Sequence, residues 1–506
     1  MKIAVDMLSI REDGSAGGAT GFAIELVKGF AKTPDIQVVA LCGDWNRKLL
    51  KSLLPNNVQL LQVIGEKKYT GIGKIDRVIR RIVQFRTHTM VLKENGVDIL
   101  YCPFSAPTFK ENGIPTVSTI LDIQHEFYPQ FFSPQELQHR RKFYYDIVQK
   151  VERVVCISDY TRETFCEKYG YPLERAQTIY IAIQNRFDKE DADVLEKLGI
   201  QNQLYIVYPA NFWEHKNHKL LLNAFAMYAE GNSELKLVLT GNPLDQAEYY
   251  NELLKAMKIE QRTVITGYLT NEELFSILKH AKGLIYPSLF EGFGIPVVEA
   301  MGLNKLIASS NLTSLPEIGC PSIFYFNPKK PDEILRGIEY LANNEMTEQI
   351  KKEYRKKLEE YQADKMVQAY IDAFKEVICN KTEVIFTEEI SGIYEDGWTG
   401  REVIIKLKNR KGMKLYMKLS LPPFVKLKER IVIEKNGEKR TEVLNSGENV
   451  VLEETIENNQ ETITIAFSKT WTPNKVLKSA DERQLGGMVE EVRVYSKDVS
   501  IDLKNR

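Results

Sequence analysis

The chain has 506 residues, too many for one ordinary hydrophobic core, and its length points to roughly three domains. Its 43% hydrophobic and 27% charged residues are those of a globular protein, and a net charge of -1 argues against one that holds nucleic acid through its overall charge. The opening residues meet charge too soon for a secretory signal, no apolar run approaches the ~20 residues needed to cross a bilayer, and the six cysteines contain no Cys-x-x-Cys pair, so a cytoplasmic protein with reduced thiols is expected.

Residues 2–6 read as a strand, followed by a glycine-rich loop over 14–21 and a helix in which Phe22, Leu26 and Phe30 recur at helical spacing. Strand, glycine loop and helix open a doubly wound α/β lobe. The loop holds Gly17 and Gly18 but lacks the order of a dinucleotide fingerprint and has no Walker lysine nearby. A phosphate-approaching loop and a tight turn both fit it. Further strands are expected over 37–42, 97–101 and 116–120. The stretch 67–85 carries Lys67, Lys68, Lys74, Arg77, Arg80 and Arg81 among Ile72, Ile75, Val78, Ile79 and Ile82. Such a basic amphipathic helix either lies on an anionic membrane or forms an ordinary surface helix. A strand ending near Leu121 places Asp122, Gln124 and His125 at its C-terminal end, where open α/β sheets build their sites. Ser133-Pro-Gln-Glu136 is a capping box that starts a helix, and a strand over 153–157 precedes another helix opened by Ser158.

Asp191-Ala-Asp193 has the spacing of a metal-binding pair, but it precedes Val194-Leu-Glu-Lys-Leu198, and acids at a helix start explain it. No metal is expected. A strand over 204–209 runs into Ala210-Asn-Phe-Trp-Glu-His-Lys-Asn-His218 and then a helix over 219–228. Strands follow over 235–241 and 264–270, and Thr270-Asn-Glu-Glu273 caps the next helix. The stretch 285–301, Ile-Tyr-Pro-Ser-Leu-Phe-Glu-Gly-Phe-Gly-Ile-Pro-Val-Val-Glu-Ala-Met, reads as a buried strand, a glycine loop and a helix start. Gly292 and Gly294 let the backbone approach a ligand, and Pro296 suits the first helical position. The N–H groups of a helix opening near Gly294 make an anion site fit for a phosphate. Glu291 and Glu299 would repel that phosphate and are suited instead to accepting hydrogen bonds from hydroxyls of attached sugars.

Glu291, seven residues, then Glu299, within Pro-Ser-Leu-Phe-Glu-Gly-Phe-Gly, resembles the signature of the retaining glycosyltransferases of family four, which have the GT-B fold. The resemblance implies an α/β chain of two Rossmann-like doubly wound lobes facing across a cleft. Residues 1–183 form the acceptor lobe, 184–363 the nucleotide-sugar donor lobe, and 364–380 a crossover helix returning to the first lobe. It further implies that Gly17 and Gly18 face the donor phosphates, that Gly267 and Tyr268 hold the base, and that Phe293, Gly294 and Ile295 bind the donor. Glu291 would hold sugar hydroxyls and Glu299 the ribose. Lys216 keeps the family's donor-phosphate lysine, while Asn211 occupies the place of an arginine five residues before it. That loss leaves Lys216 and the helix start near Gly294 as the main positive elements, with His215 or His218 as further sources of charge. Many relatives put a catalytic histidine directly before the aspartate; Leu121 stands there, so the role passes to His125, beside Asp122 as an orienting group. The implied activity moves a sugar from a nucleotide diphosphate sugar to a glycan or lipid-linked acceptor in cell-surface polysaccharide or glycoconjugate synthesis. No metal and no cofactor beyond the donor substrate are expected, and peripheral contact with the inner membrane face is open. A nucleotide-sugar epimerase of the same fold and a non-catalytic glycan-binding protein are the alternatives.

After residue 381 helical periods give way to alternation, as in Val403-Ile-Ile-Lys-Leu-Lys408 and Leu415-Tyr-Met-Lys-Leu419, broken at Pro422-Pro423, Asn436-Gly437 and Ser446-Gly447. Residues 381–506 are therefore expected to form an antiparallel β-sandwich, with Tyr394, Trp398 and Trp471 as candidate glycan contacts. Two of its segments, around Trp398 and over 479–486, resemble a β module appended to some bacterial glycosyltransferases. Between 401 and 440, 13 Lys and Arg stand against 4 Glu, which fits charged outer strand faces or an anionic partner.

Overall fold

The computed structural model describes residues 1–11, 18–64, 91–104, 107–111, 113–183, 186–187, 189–191, 193–231, 234–243, 246–380, 388–394, 397–408, 410–426, 428–477, 481, 483–496 and 500–502. Gly17 and the basic stretch 67–85 lie outside them.

Seven strands build the first lobe: β1 (Lys2–Asp6), β2 (Gln37–Gly43), β3 (Gln59–Ile64), β4 (Ile99–Cys102), β5 (Thr116–Ile120), β6 (Arg153–Cys156) and β7 (Ala176–Thr178). They pair in parallel in the order β3-β2-β1-β4-β5-β6-β7. The central strands are apolar on both faces because helices cover both, as for Ile3, Ala4 and Val5. The glycine-rich stretch delivers the Gly18–Lys32 helix, which buries Phe22, Leu26 and Phe30. Ser133 and Glu136 close their capping box reciprocally at the start of the Pro134–Lys150 helix, and the Ser158 hydroxyl caps the Asp159–Tyr169 helix.

The second lobe repeats the plan with β8 (Tyr205–Pro209), β9 (Lys236–Thr240), β10 (Thr263–Ile265), β11 (Gly283–Tyr286), β12 (Leu306–Ser310) and β13 (Phe324–Phe326). These strands are also parallel, in the order β10-β9-β8-β11-β12-β13. β10 is three residues long, shorter than its sequence pattern, because Gly267 takes a positive φ of 74° and turns the chain. Asp191 accepts from the backbone N–H groups of Asp193 and Val194, so this acid serves the start of the short Val194–Lys197 helix.

From the second lobe the Ala363–Asn380 helix returns to the first. Tyr370 joins Thr119 and Tyr101 in a buried hydroxyl chain, and Glu376 pairs with both terminal nitrogens of Arg153 at 2.7 and 2.9 Å. These bonds fasten the returning helix to the first lobe.

The C-terminal module packs a five-stranded antiparallel sheet on a four-stranded one. The first contains β14 (Glu388–Ile393), β15 (Thr399–Lys408), β17 (Lys428–Lys435), β18 (Glu438–Asn445) and β20 (Gln460–Phe467). The second contains β16 (Lys414–Ser420), β19 (Asn449–Thr455), β21 (Met488–Tyr495) and β22 (Ser500–Asp502). Alternation explains it: Val403, Ile405 and Leu407 face inward from β15, and Leu415, Met417 and Leu419 from β16. Lysines of the basic stretch pair across outer faces, as in Lys414–Glu453 at 2.7 Å and Lys418–Glu490 at 2.5 Å. Trp471 is buried edge-on against Trp398, with ring centroids 5.0 Å apart, and so serves the module's core instead of offering a face to a glycan. The module's core is continuous with Tyr144, Phe165 and Tyr169 of the first lobe.

Candidate active site

Doubly wound sheets bind ligands beyond the carboxyl ends of their strands, where the strand order reverses. In the second lobe that point lies between β8 and β11. The segments following those two strands face the first lobe across a cleft of about 800 Å³.

Lys216 comes from the loop after β8 and Glu291 from the loop after β11, and Lys216 Nζ lies 2.6 Å from Glu291 Oε1. The fold holds both ends. Tyr208 donates its hydroxyl to the Lys216 carbonyl, and Asn217, in the left-handed region, donates to the carbonyls of Pro287 and Pro328. Tyr286 donates to Glu291 Oε1 at 3.1 Å, and the Glu291 backbone N–H donates to Thr313. The Ser314 hydroxyl donates to the carbonyls of Glu291 and Phe293, which fixes the loop between them. Burial works to raise the Glu291 carboxyl, but the Lys216 cation and the hydrogen bonds outweigh it and hold the group below its ordinary range.

Gly294 caps the Ile295–Gly302 helix with a φ of 116°, a conformation that disfavours any residue with a side chain. Pro296 falls at the second helical position, where its missing N–H again costs no helical bond. Gly292 lines the cleft and also serves a second purpose. A Cβ there would sit 1.9 Å from the Leu121 carbonyl oxygen, so this glycine lets the two lobes touch. Ser158 and Thr161 of the first lobe both donate to the Gly292 carbonyl. Glu317 reaches across from the second lobe and accepts the N–H groups of Asp159 and Tyr160, at 2.6 and 3.0 Å, at the start of the Asp159–Tyr169 helix.

Of the residues singled out in the sequence, Asp122, Asn211, Lys216, Glu291, Phe293, Gly294 and Ile295 line this one cleft. Asn211 accepts from the Asn242 backbone N–H. Gly18 opens its helix one residue before Ala19, which lines the cleft from the first lobe. Burial pushes the Asp122 carboxyl up, against the pull of the Gln124 N–H.

His125, Gly267, Tyr268 and Glu299 are not among the residues that line the cleft. His125 is 0% exposed and does not line the cleft. It sits on the inward side of the short Gln124–Phe127 helix, stacked on Tyr144 at 5.0 Å with Nε2 2.8 Å from the Tyr169 hydroxyl. Burial lowers it to about 4 and keeps it neutral. His215 and His218 add no charge either: burial and the neighbouring Lys216 lower them to about 4 and about 3. Tyr268 is 75% exposed, and neither it nor Gly267 lines the cleft. Glu299 is 2% exposed in its side chain, and both its oxygens are taken by Arg186 Nε and Nη2 at 2.6 and 2.8 Å.

Arg186 and Arg140 are cleft residues that carried no sequence signal. Arg186 stands in the aperiodic segment between the lobes, and Arg140 is one of several charged residues on an ordinary amphipathic helix.

Residues 16–184 match the model of glycosyltransferase family 4, and residues 191–364 match that of the group 1 glycosyl transferases. The chain belongs to the family-four-like glycosyltransferases of the GT-B fold. It is 26% identical to O-antigen chain mannosyltransferase B of Escherichia coli, over 43% of this chain and 58% of that one. It is 23% identical to the O-antigen chain mannosyltransferase RfbU of Salmonella typhimurium, over 44% and 61%. The chain thus spans less than two thirds of the length of these curated relatives. Among solved structures, Anabaena HepE in complex with UDP and glucose superposes with a TM-score of 0.57 at 17% identity, over 74% of this chain and all of that one. Sucrose-phosphate synthase from Thermosynechococcus elongatus gives a TM-score of 0.57 over 75% of this chain, also at 17% identity.

Among the described residues no group of three or more His, Cys, Asp or Glu side chains is placed to hold a metal, and no helix is long and apolar enough to cross a membrane. Cys42, Cys102, Cys156, Cys166 and Cys320 are buried free thiols, and Cys379 is an exposed one.

Proposed function

We propose that the chain is a retaining, metal-independent glycosyltransferase that moves a hexose from a nucleotide diphosphate sugar to a glycan or lipid-linked acceptor of a cell-surface polysaccharide. The observation that carries this reading is the Lys216–Glu291 pair at 2.6 Å, set beside a helix N-terminus in the cleft between two Rossmann-like lobes. Mannose is the first sugar to test, because O-antigen chain mannosyltransferases are among the relatives. A nucleotide sugar as donor agrees with the UDP and glucose held by the structurally similar HepE.

In this reading the bond between the anomeric carbon and the diphosphate oxygen breaks first, and its electron pair leaves with the diphosphate. Lys216 and the N–H groups at Gly294 stabilise that developing charge. Glu291 accepts hydrogen bonds from the sugar hydroxyls, and the acceptor hydroxyl attacks from the face the diphosphate vacates, giving its proton to a departing phosphate oxygen. Asp122 faces the acceptor side. His125 supports it from behind, since His125 stacks on Tyr144 and the Tyr144 hydroxyl donates to the Asp122 carbonyl.

Incubation with GDP-mannose, UDP-glucose and other nucleotide sugars in the presence of a chelator tests the reading. The expected result is slow release of the nucleoside diphosphate without acceptor, and an anomerically retained product with one. An epimerised sugar without nucleotide release would replace this reading by an epimerase, and glycan binding without turnover of any donor by a lectin-like role.

A further inference from the structure

Asn211 stands where the resemblance places an arginine, and an amide offers no fixed charge to a leaving diphosphate. Lys216 meets Glu291 at 2.6 Å, so part of its charge is already answered. The permanent cations among the described lining residues are Arg140, Lys216 and Arg186. Arg140 belongs to the first lobe and lies over the Phe132 ring at 4.5 Å. Arg186 belongs to the donor side: it reaches Glu299, in the second turn of the helix that opens at Gly294. Its guanidinium gives Nε and Nη2 to Glu299, no acceptor among the described residues takes Nη1, and its side chain is 29% exposed against 2% for its partner. Its stem is steadied from the side by Phe187, whose ring lies 5.0 Å from the guanidinium carbon and stacks on Phe275.

We propose that Arg186 is the donor-diphosphate arginine of this chain, supplied from the segment between the lobes in place of the one missing at Asn211, and that Glu299 holds it ready until a nucleotide binds. The assignment rests on the functional reading above. A nucleotide whose ribose hydroxyls donate to Glu299 competes directly for the carboxylate oxygens that Arg186 now occupies. The guanidinium released by that exchange turns to the phosphates, where its planar fork matches two phosphate oxygens. Ribose recognition and phosphate recognition are then one coupled exchange of partners.

The test compares calorimetric affinities for a nucleoside and its diphosphate, guanosine with GDP and uridine with UDP. In Arg186→Met the diphosphate should weaken roughly 10- to 100-fold while the nucleoside does not weaken, because its ribose no longer has to displace the guanidinium from Glu299. Because Arg186→Met leaves Glu299 buried without a counterion, Arg186→Met/Glu299→Gln is the control for folding, and it should keep the diphosphate-selective loss. Asn211→Arg added to Arg186→Met should restore diphosphate affinity. Equal weakening of nucleoside and diphosphate, or wild-type preference for the diphosphate in the double variant, would show Arg186 to be only the counterion of Glu299 and overturn the proposal. A wild-type protein that binds neither diphosphate would instead overturn the functional reading, and the assignment with it.

Discussion

The Lys216–Glu291 pair makes a demand on both stability and turnover that a double-mutant cycle can measure. The two charged atoms lie 2.6 Å apart, with side chains 11% and 12% exposed. At an effective dielectric constant of ~20 that separation gives an attraction on the order of 6 kcal/mol before desolvation is subtracted. Removing one partner leaves the other nearly buried and unpaired, at a cost of about 3 kcal/mol, the low end for buried pairs because a little solvent reaches this one. Removing both leaves no bare charge. Lys216→Met and Glu291→Gln should therefore each cost about 3 kcal/mol, and the double variant clearly less than either single one, because neither charge is left unpaired.

The cycle is read by thermal unfolding of the second lobe, where 3 kcal/mol corresponds to a fall of about 6–12 °C for a unit of this size. Additive losses would show that the pair is not coupled in solution and would refute the reasoning. Turnover is the second axis. All three variants should lose about 10²- to 10³-fold in kcat for donor hydrolysis, those without Lys216 because electrostatic stabilisation of the leaving group carries the rate and those without Glu291 because the sugar is no longer held in place. A Lys216→Met enzyme within tenfold of wild type would remove Lys216 from that role. The pH dependence has a definite sign. With its folded value below the ordinary 4.5, Glu291 contributes stability that is complete above that pH and is lost as pH falls through the depressed value.

Gly292→Ala should act on lobe closure, because its Cβ would sit 1.9 Å from the Leu121 carbonyl oxygen. Forcing that contact apart costs about 1–3 kcal/mol, seen as roughly a 10- to 100-fold drop in kcat/KM with the unfolding of each lobe little changed; unaltered kcat/KM would show that the contact is not made during turnover. His125→Phe should change the acid limb of stability. Burial lowers His125 from 6.5 to about 4, so between those values the unfolded chain takes up a proton that the folded one refuses, and stability falls as pH falls through that window. The variant should be about 1 kcal/mol less stable at pH 8, from the lost bond to Tyr169, yet decline less steeply between pH 6.5 and 4; parallel curves would mean that His125 is solvated.

What could be read from the sequence is what short-range patterns carry. The capping boxes at Ser133 and Thr270 act over three residues, and each appears where its spacing placed it. Strand, loop and helix at β11 likewise follow from a local run, and alternation in β15 and β16 marked the sandwich. The partners of the site residues could not be read in this way. Arg186 meets Glu299 across 113 positions, and His125 meets Tyr169 across 44, so no window of spacing holds either pair. Gly292 shows the same division: its need for no side chain was legible, but the object approaching it is the Leu121 carbonyl of the other lobe.

These long-range pairs set what a ligand meets on entering the cleft. Glu291 is neutralised by Lys216 and Glu299 by Arg186, which spares the fold the penalty of two bare carboxylates in a nearly dry site. A donor therefore enters a set of ion pairs already made, and its affinity is the difference between those pairings and the ones it forms. A neutral nucleoside can displace Glu299 from Arg186 but leaves the guanidinium without a new acceptor. A nucleoside diphosphate displaces the carboxylate and supplies the phosphate oxygens in the same step. In the proposed reading, selectivity for the charged donor thus follows from how the carboxylates are paired before it arrives.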